Sequence, residues 1–582
     1  MAEVRAAMTL VEDAVAGAMT RVLTPELARR DPVVRPSEHA DFQSNVALSL
    51  AGPAGTPPRE LALALHAELA GGPVAATLAG PGFLNLTLTD ERLWGQLADR
   101  LADPRLGVGL PLAGTRTVVD YSGPNIAKGM HVGHLRSTVI GDVLARVLAF
   151  LGGEVIRQNH LGDWGTNFGM LIQYLVEHPE YDWQGDTAAD QVSVLDVLYQ
   201  AARRLFEADP AFAERARQRV VALQGGDEAT LALWRELTAV SGKAFQALYE
   251  RLGVLLTEQD TAAESSYNPY LDEVVAELVE AGIAVDSDGA LCVFAEDLTG
   301  PDGEPVPLIV RKKDGGYGYP ATDLATLRHR VERLGVDRIL YVTDARQALH
   351  FRQVFATARR AGWLPAGVAA VHVPFGMVLG PGGTPFKTRS GGTVPLAGLL
   401  DEAVEGARAA TADKAHELTA EALTEVVEAA GIGAVKYADL STSRAKNYVF
   451  DTAQMVSLNG NTGVYLQYAH ARLCTLLGKA GGAGADGVDA SLPLHPAERA
   501  LILRLDGFDA VLGEVARELE PHRLCSYLFA LAKALTEFYG ACPVLKAPTP
   551  ALRANRLALC RLTARTLAQG LDLLGLKAPE RM

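Results

Sequence analysis

The spacing of hydrophobic positions changes along the chain, and each change marks a predicted element of secondary structure. Residues 116–122, RTVVDYS, form an apolar run of the length that is typical of a buried strand. Between residues 135 and 151 the apolar positions recur every three or four residues, which predicts a helix. A strand pattern restarts at 153–162, GEVIRQNHLG. Strand, turn, helix and strand in this order predict a βαβ unit of a parallel, nucleotide-binding sheet.

Strand and helix patterns alternate again further along the chain. Residues 337–344 and 368–380 predict strands, and residues 350–362 predict a helix between them. The region at about 180–300 is charged and mostly helical in pattern. Because it interrupts the strand and helix alternation, we expect it to be an insertion.

Two further regions have patterns of their own. Residues 1–112 predict a small α+β domain, in which 80–88, GPGFLNLTL, forms a strand. Residues 401–582 are dominated by helical patterns. The sequence therefore predicts an α+β domain, an α/β domain with a parallel sheet at 113–400, and an all-α domain at the end.

Length and composition agree with this division and exclude some classes of protein. The chain has 582 residues, enough for several domains, and 48% of them are hydrophobic. No apolar run is as long as a membrane span. The five cysteines form no CxxC pair, so neither a zinc knuckle nor a disulfide framework is supported. We therefore expect a reduced, cytoplasmic compartment.

The net charge bears on the choice of partner. A formal charge of -15 argues against nucleic acid, because phosphate binding usually needs a basic surface. Basic residues are nevertheless concentrated locally, and an acidic protein can still present a basic face. For any single basic cluster, a solvated helix face is the simpler interpretation.

Residues 122–137, SGPNIAKGMHVGHLRS, carry the most informative candidate chemistry. They lie between a predicted strand end and a helix start, where a phosphate meets free backbone N–H groups and the positive end of the helix dipole. Gly133 permits close approach, His131 and His134 can donate hydrogen bonds, and Lys128 adds a mobile charge. This set suits an ATP whose α-phosphate is attacked and whose pyrophosphate leaves.

Two other interpretations of the histidine pair remain open. His131 and His134 could bind zinc, although no third ligand lies at the usual spacing. The two histidines could instead only cap the predicted helix.

A second stretch, GTPFKTRSGGTV at 383–394, strengthens the nucleotide interpretation. It is a basic, glycine-rich loop after a predicted strand, and Lys387 and Arg389 could close over the same triphosphate. The alternative is an ordinary solvated surface loop.

Taken together, these segments resemble the class I arginyl-tRNA synthetases. DYSGPNIAKGMHVGHLRST resembles the HIGH signature region of that family, with HVGH as its core. Other family blocks are matched in order by 159–171, 317–330, 341–350, 386–403, 431–441, 460–472 and 556–575. The resemblance begins at DFQSN, 41–45, and covers essentially the whole chain.

The resemblance implies a fold and a reaction. We expect a Rossmann-type catalytic domain, an N-terminal domain that contacts the tRNA elbow, and an all-α anticodon-binding domain. Arginine would attack the α-phosphate of Mg-ATP to give arginyl-adenylate, and the 3′ end of tRNA(Arg) would then accept the arginyl group. ATP, Mg²⁺ carried by ATP, L-arginine and tRNA(Arg) are thus the expected ligands. We expect a monomer without a structural metal.

The resemblance also implies site residues. ATP would be bound by Asn125, Lys128, His131, Gly133, His134, Met377 and Lys387. Catalysis would use Lys128, His131, His134, Lys387 and Arg389, with FKTRS as a degenerate form of the KMSKS loop of other class I enzymes. Arginine would be bound by Asp120, Asn125, His160, Tyr319, Asp323 and Gln347. Contacts with tRNA would come from Phe42, Gln43, Asn45, Tyr468, Arg472, Arg561 and Arg565.

The arginine ligands make chemical sense. A guanidinium is a planar group of hydrogen-bond donors that binds a carboxylate lying in its plane. Asp323 would be that carboxylate. Tyr319 would line the pocket with an aromatic wall, and Asp120 would suit the α-ammonium or a supporting water. The main rival is a nucleotidylyltransferase that uses the same HxGH device on a small molecule. Such an enzyme would not need the long helical C-terminal domain.

Overall fold

A computed structural model describes residues 4–181, 183, 188–295, 298, 305–380, 382–384, 394–411, 419–481 and 487–582. None of the helices within these ranges is long and apolar enough to cross a membrane.

The N-terminal region is the predicted α+β domain. Its elements are α1 (Ala7–Val22), β1 (Val34–Pro36), β2 (Phe42–Ser44), α2 (Val46–Ala54), α3 (Pro58–Leu69), β3 (Val74–Ala79), β4 (Phe83–Leu88) and α4 (Asp90–Ala102). The strands form an antiparallel sheet in the order β1-β2-β4-β3. Along β4 every second side chain is buried, namely Leu84, Leu86 and Leu88, because one face of the sheet packs on the domain core.

The predicted βαβ unit is the centre of the catalytic domain. Its elements are β5 (Arg116–Asp120), α5 (Val132–Phe150), β6 (Glu154–Gln158) and α6 (Thr166–Glu177). After an insertion the domain continues with α11 (Tyr319–Glu332), β10 (Arg338–Asp344), α12 (Ala348–Arg360), β11 (Ala369–Phe375) and β12 (Val378–Leu379). Four strands form a parallel sheet in the order β11-β10-β5-β6. The predicted parallel α/β fold is therefore confirmed.

The insertion contains a small sheet as well as helices. Its elements are α7 (Ala188–Ala208), α8 (Pro210–Gln224), α9 (Glu228–Leu252), α10 (Leu271–Glu280), β7 (Ala284–Ser287), β8 (Ala290–Val293) and β9 (Leu308–Arg311). The three strands are antiparallel. Asp288 and Gly289 both have positive φ angles, 53° and 82°, which is the turn geometry that Asp-Gly favours in hairpins. The sequence thus carried a hairpin signal inside a region that its charge pattern marked as helical.

The C-terminal region is helical, as predicted. Its elements are α13 (Leu396–Thr411), α14 (Ala420–Leu440), β13 (Tyr448–Val449), α15 (Thr452–Met455), α16 (Gly463–Lys479), α17 (Pro496–Asp506), α18 (Phe508–Glu518), α19 (His522–Ala541) and α20 (Pro550–Leu573). The short β13 pairs in parallel with β12 of the catalytic domain. Helices α13 and α14 pack on each other and on α5, so they continue the catalytic core past residue 400.

Helix α5 explains why the sheet and the C-terminal helices form one core. It is buried on nearly all sides, because β5, β6 and β10 touch it along with α13, α14, α18 and α20. A buried ion pair joins Arg136 of α5 to Asp439 of α14, with 3.1 Å between Nε and Oδ2. A Cβ atom at Gly141 would lie 2.2 Å from Tyr121, so only glycine lets the strand end approach the helix this closely.

The N-terminal domain docks on α17 through polar contacts. Arg100 and Asp506 form an ion pair at 2.9 Å, with exposed fractions of 2% and 8%. The same carboxylate accepts a hydrogen bond from the backbone N–H of Ala7 at 2.7 Å. Nearby, the indole N–H of Trp94 donates to the carbonyl of Leu492 at 2.9 Å. These contacts join the N-terminal domain to the helical C-terminal region.

Candidate active site

A cleft opens at the carboxyl ends of the parallel strands. It has a volume of about 640 Å³ and lies where chain connections leave β5 and β10 in opposite directions. Ligands of open α/β sheets bind at such a switch point, because the loops diverge there. Nine of the predicted site residues line the cleft: Asp120, Asn125, His131, Gly133, His134, His160, Tyr319, Asp323 and Gln347.

The histidine pair caps α5 and still has donors to offer. His131 is the N-cap residue, and its Nδ1 accepts a hydrogen bond from the N–H of Gly133 at 3.0 Å. The Nδ1 of His134 accepts one from the N–H of His131 at 3.1 Å. A neutral imidazole that accepts at Nδ1 carries its proton on Nε2, so each ring keeps one N–H donor. Capping and ligand binding are thus compatible.

The same geometry accounts for the glycine between the two histidines. A Cβ atom at Gly133 would lie 2.8 Å from the His131 ring, so a side chain there would displace the cap. The imidazole rings lie 3.9 Å apart between centroids. The zinc interpretation gains no support, since the described ranges contain no group of three or more His, Cys, Asp or Glu side chains that could hold a metal ion.

The electrostatic environment keeps both imidazoles neutral. Burial lowers the pKa of His134 to about 3, with smaller contributions from His131 and Lys128. Burial also lowers the pKa of His131, and Lys128 adds to the effect. At neutral pH both rings are therefore preorganised hydrogen-bond donors without a charge of their own.

The loop after β5 has a strained backbone that the surroundings hold in place. Ser122 and Ala127 have φ angles of 74° and 61°, a region that non-glycine residues rarely adopt. The N–H of Ala127 donates to Ser241 at 3.0 Å, and the Ser122 hydroxyl lies 2.8 Å from that of Tyr249. Strain of this kind is found at functional sites, where neighbouring contacts fix a geometry that the chain would not choose alone.

Asn125 lies on the same loop. A Cβ atom at Gly162 would lie 2.1 Å from Oδ1 of Asn125. A side chain at position 162 would therefore clash with the Asn125 amide as it is placed. The loop is also joined to this neighbouring segment by backbone hydrogen bonds, among them the N–H of Ile126 to the carbonyl of Gly162 at 3.0 Å. The backbone of the loop is thereby fixed, and Asn125 lies exposed at the rim of the cleft.

The opposite end of the cleft is acidic. Asp323 on α11 accepts a hydrogen bond from Nε2 of His350 at 2.6 Å. Glu264 lies in the same wall and is 8% exposed. Burial, together with the charges of Asp163 and Asp323, raises the pKa of Glu264 to about 8. Within the described residues, no lysine or arginine forms an ion pair with Asp323 or Glu264, so a cationic substrate could supply the balancing charge.

Glu264 and His350 were not predicted from the sequence. Glu264 lies in AAESSYNPY, a stretch without a clear period, and His350 lies on an ordinary helical pattern. A signal for His350 did exist, because it closes the block YVTDARQALH at 341–350.

Asp120 is closely paired within the protein. Its Oδ2 accepts from Arg330 at 2.8 Å, and Arg330 is fully buried. Gln158 accepts from the Nε of the same guanidinium at 2.6 Å. Asp120 still lines the cleft, but its charge is already balanced. This favours a supporting role over direct capture of a substrate ammonium.

His160 and Gln347 complete the lining. The Nδ1 of His160 donates to the carbonyl of Ala262 at 2.9 Å, because a carbonyl can only accept, so its Nε2 is an acceptor in the neutral ring. Gln347 precedes the first residue of α12.

Comparisons with known proteins were made for the whole chain. Residues 108–452 match the model of the class I tRNA synthetase (R) catalytic domain, and residues 466–582 match the DALR anticodon-binding domain. Residues 9–88 match the arginyl-tRNA synthetase N-terminal domain. The arginine–tRNA ligase of Frankia casuarinae is 64% identical over 100% of this chain and 99% of its own.

The chain belongs to the arginyl-tRNA synthetase family. The arginine–tRNA ligase of Streptomyces avermitilis is also similar, with 51% identity over all of both chains. The arginyl-tRNA synthetase structures of Plasmodium falciparum and Thermus thermophilus superpose with TM-scores of 0.81 and 0.80, at 25% and 27% identity. They cover 100% and 99% of this chain and all of their own. The chain is therefore a class I aminoacyl-tRNA synthetase, a ligase, and the nucleotidylyltransferase alternative is not favoured.

Four residues predicted to act on ATP in this synthetase are not part of the described cleft lining. Lys128 is outside the cleft lining, and its Nζ lies 4.1 Å from the ring centroid of Tyr199 in the insertion. Met377 is 43% exposed, and its N–H donates to Oδ1 of Asn447 at 2.7 Å. Lys387 lies outside the described residues, as does Arg389.

In the N-terminal domain, the structure bears on the predicted tRNA contacts of this synthetase. Phe42 is only 7% exposed and belongs to the hydrophobic core, which favours packing over stacking on a base. Gln43 donates to Asn85 on the next strand at 2.7 Å. The Oδ1 of Asn45 is buried without a hydrogen-bond partner among the described residues.

In the anticodon-binding region, the structure also bears on the predicted tRNA contacts, which stay predictions. Arg565 donates to the carbonyls of Leu101 at 2.5 Å and Asp103 at 3.0 Å, so it joins α20 to the end of α4. Its guanidinium is occupied in a domain contact because the helix packs against the N-terminal domain. Arg472 is exposed and lies 4.0 Å from the Tyr539 ring centroid. Tyr468 and Arg561 are half-buried.

Proposed function

We propose that the cleft binds ATP at its histidine end and arginine at its acidic end, and that arginyl-adenylate forms between them. One observation carries this proposal. A single cavity of about 640 Å³ has neutral N–H donors on one side and, on the other, Asp323 and Glu264, neither of which forms an ion pair with a lysine or arginine of the described residues. An anionic triphosphate and a cationic guanidinium are complementary to these two ends.

At the histidine end, His131 and His134 would donate from Nε2 to phosphate oxygens. Negative charge grows on those oxygens as pyrophosphate leaves, and donors already in place stabilise it without rearrangement. The helix dipole of α5 acts in the same direction, whereas the N–H groups of Val132 and Gly133 already donate to the Val394 carbonyl and to Nδ1 of His131. Asn125 would contact ATP from the rim of the cleft. Mg²⁺ would arrive bound to ATP.

The loop residues Lys387 and Arg389 keep their predicted role as part of this proposal. With Lys128 they would neutralise the triphosphate from the open side. Met377 would contact the nucleotide through its backbone or its exposed side chain.

At the acidic end, Asp323 and Glu264 would share the guanidinium. Tyr319, at the first position of α11, would form the aromatic wall, and its side chain is well exposed to the cleft. His160 would offer an Nε2 acceptor and Gln347 an amide. Asp120 would act through Arg330, by holding α11 against the strand end.

The acceptor would be tRNA(Arg), whose 3′ end receives the arginyl group. The N-terminal domain would contact the tRNA elbow through Gln43 and Asn45, and the helical domain would contact the anticodon stem-loop through Tyr468, Arg472 and Arg561. We place the domain boundaries near 112 and, because α13 and α14 pack on α5, beyond residue 400. A monomer is expected, which sedimentation equilibrium tests.

The test is ATP–pyrophosphate exchange with arginine, and with citrulline as the control substrate. Citrulline has the shape of arginine with a neutral head, and it would leave buried carboxylates unpaired, so we expect roughly 10⁴-fold discrimination. We expect exchange to require tRNA, because the glycine-rich loop at 383–394 is costly to order without help. Full exchange without RNA would contradict this coupling, and equal activity with citrulline would contradict the arginine site.

A further inference from the structure

The position of Lys128 sets a problem for the proposed ATP site. Lys128 lies three residues before His131, and its charge lowers the pKa of His131 and His134, so the ammonium is close to the histidine turn. Yet Lys128 is not part of the cleft lining within the described ranges. Its Nζ instead lies 4.1 Å from the ring centroid of Tyr199 on α7. An ammonium at this distance over an aromatic face is in a cation–π contact.

Tyr199 is itself firmly held. The side chain is 6% exposed, and its hydroxyl donates to Oδ1 of Asn167 on α6 at 3.0 Å. Asp196 lies one helical turn before Tyr199, and its charge acts on both Lys128 and His131. The lysine therefore contacts the insertion through the ring of Tyr199, with the charge of Asp196 nearby, although it belongs to the loop after β5.

We propose that Tyr199 is a positioning residue of this synthetase. Its ring holds the Lys128 ammonium beside the histidine turn, and from this position the lysine reaches the triphosphate. The inference rests on the proposed role of Lys128 in ATP binding. It assigns to the insertion a part in nucleotide chemistry, in addition to any contact that the insertion makes with tRNA.

The physical reason is the flexibility of lysine. Its four-carbon side chain has many rotamers, and a free lysine must lose this conformational freedom at the moment of reaction. A ring that already confines the ammonium removes part of that loss before ATP arrives. The contact is also weak enough to give way, because a cation–π interaction contributes only about 0.5–2 kcal/mol.

Two substitutions separate the ring from the hydroxyl. Tyr199→Phe keeps the aromatic face and loses only the hydrogen bond to Asn167. Tyr199→Leu removes the face. We expect Tyr199→Leu to lower the rate of arginine-dependent pyrophosphate exchange, measured with tRNA, by about twofold to thirtyfold. Tyr199→Phe should stay within about twofold of the wild type.

Tyr174→Leu is the matched control. Tyr174 is 7% exposed on α6 and packs on Tyr181 and Phe212 of the insertion, and no lysine of the described residues lies over its ring. Its loss should change the melting temperature and leave the exchange rate unaffected. Equal losses in Tyr174→Leu and Tyr199→Leu would mean that Tyr199 only supports the insertion, and would overturn the proposal.

A double-mutant cycle with Lys128→Ala tests whether the effect passes through the lysine. If Tyr199 acts by holding Lys128, Tyr199→Leu should have no further effect once Lys128 is alanine. Additive losses would overturn the positioning role while leaving the ATP site intact. If Lys128→Ala alone changes nothing, the proposed role of Lys128 in ATP binding is wrong, which is a separate result.

A direct readout does not depend on activity. Acylation of Lys128 by an amine-reactive reagent, followed by mass spectrometry of its peptide, should be faster in Tyr199→Leu than in Tyr199→Phe. Equal rates would contradict the holding role. If Tyr199→Leu does not fold, Tyr199→Met and Asp196→Asn carry the same measurements, and wild-type rates of exchange and acylation in both would overturn the proposal. A rise in exchange for Tyr199→Leu would also overturn it, because the ring would then be holding the lysine away from ATP.

Discussion

At the scale of single residues, the histidine pair shows how one side chain serves structure and chemistry together. His131 and His134 use Nδ1 to cap α5, and this fixes the protons on Nε2. The cap thus selects the tautomer that a phosphate needs. Burial keeps the rings neutral, so they donate without adding positive charge beside Lys128.

The first prediction separates these two roles by comparing His131 with His495. His495 caps α17 in the same way, with its Nδ1 accepting from the N–H of Ala497 at 3.2 Å, far from the cleft. His131→Ala should lower pyrophosphate exchange by about 10²–10³, the usual cost of one preorganised donor. His495→Ala should lower only the free energy of unfolding, by about 1 kcal/mol. Exchange within threefold of wild type in His131→Ala would make that histidine a cap and nothing more.

The second prediction concerns protons and Glu264. Because burial and two neighbouring carboxylates raise its pKa to about 8, most of this group is protonated in the free enzyme at pH 7. A bound guanidinium favours the carboxylate, so arginine binding should release close to one proton at pH 7. Arginine affinity should therefore rise with pH, by at most about tenfold per pH unit, and level off above pH 8.

Calorimetry of arginine binding in buffers with different ionisation enthalpies measures that proton. Glu264→Gln should release none and should flatten the pH dependence. Because the raised pKa means that ionisation costs stability, Glu264→Gln should also raise the melting temperature of the free enzyme more at pH 8 than at pH 5. An unchanged proton count in Glu264→Gln would place the titrating group elsewhere.

At the scale of elements, the helical C-terminal region uses its arginines in two ways. Arg565 points into the contact with the end of α4, where its guanidinium bonds backbone carbonyls of Leu101 and Asp103. Arg472 on α16 is exposed and rests on Tyr539. Basic residues that look alike in the sequence therefore divide into those that join domains and those that can face tRNA.

The third prediction tests this division with two arginine substitutions. Arg565→Ala should lower the free energy of unfolding by about 1–3 kcal/mol, because charged hydrogen bonds are lost. It should leave the salt dependence of tRNA binding unchanged. Arg472→Ala should leave the free energy of unfolding unchanged. It should reduce the slope of log tRNA affinity against log salt by about 1. Urea unfolding and binding titrations at several salt concentrations measure the two effects, and a reduced slope in Arg565→Ala would restore that residue to the tRNA surface.

At the scale of the whole molecule, the N-terminal and C-terminal domains are held together by buried charge. Arg100 and Asp506 form their ion pair at 2.9 Å although both are almost inaccessible to solvent. Arg499 of α17 adds bonds to Asp41 and Asp90 of the N-terminal domain, at 2.6 and 2.5 Å. The N-terminal domain and the helical C-terminal domain are thus joined directly as well as through the catalytic domain.

The fourth prediction is that breaking this pair is costly. Arg100→Ala would leave the Asp506 carboxylate buried without its cation, and should lower the free energy of unfolding by about 3–5 kcal/mol. Arg21→Ala is the control, because Arg21 and Glu68 form an exposed pair within the N-terminal domain and should contribute less than about 1 kcal/mol. Urea unfolding measures both, and equal small losses would mean that the buried pair adds little to the domain contact.

The sequence alone determined the order and type of the main elements. The strand at β5, the helix α5 and the strand β6 follow from local periodicity, which depends only on which positions must face a core. The histidine turn was predictable as a candidate phosphate site, because it follows a strand end and begins a helix, and its role in ATP binding stays a prediction. The hairpin β7–β8 was not predicted, because the charged and mostly helical pattern of the region was given more weight than its two-residue turn signal.

Only the tertiary structure decided how residues far apart in the chain are used. Arg330 neutralises Asp120 across 210 residues, and Arg565 reaches Leu101 across 464. Glu264 lines the cleft, and the ring of Tyr199 contacts Lys128, although neither Glu264 nor Tyr199 belongs to a sequence motif. The local hydrophobic pattern indicates which face of a helix or strand is buried. The partner of a buried charge, however, depends on packing between separate elements. That packing is why these assignments needed the folded chain.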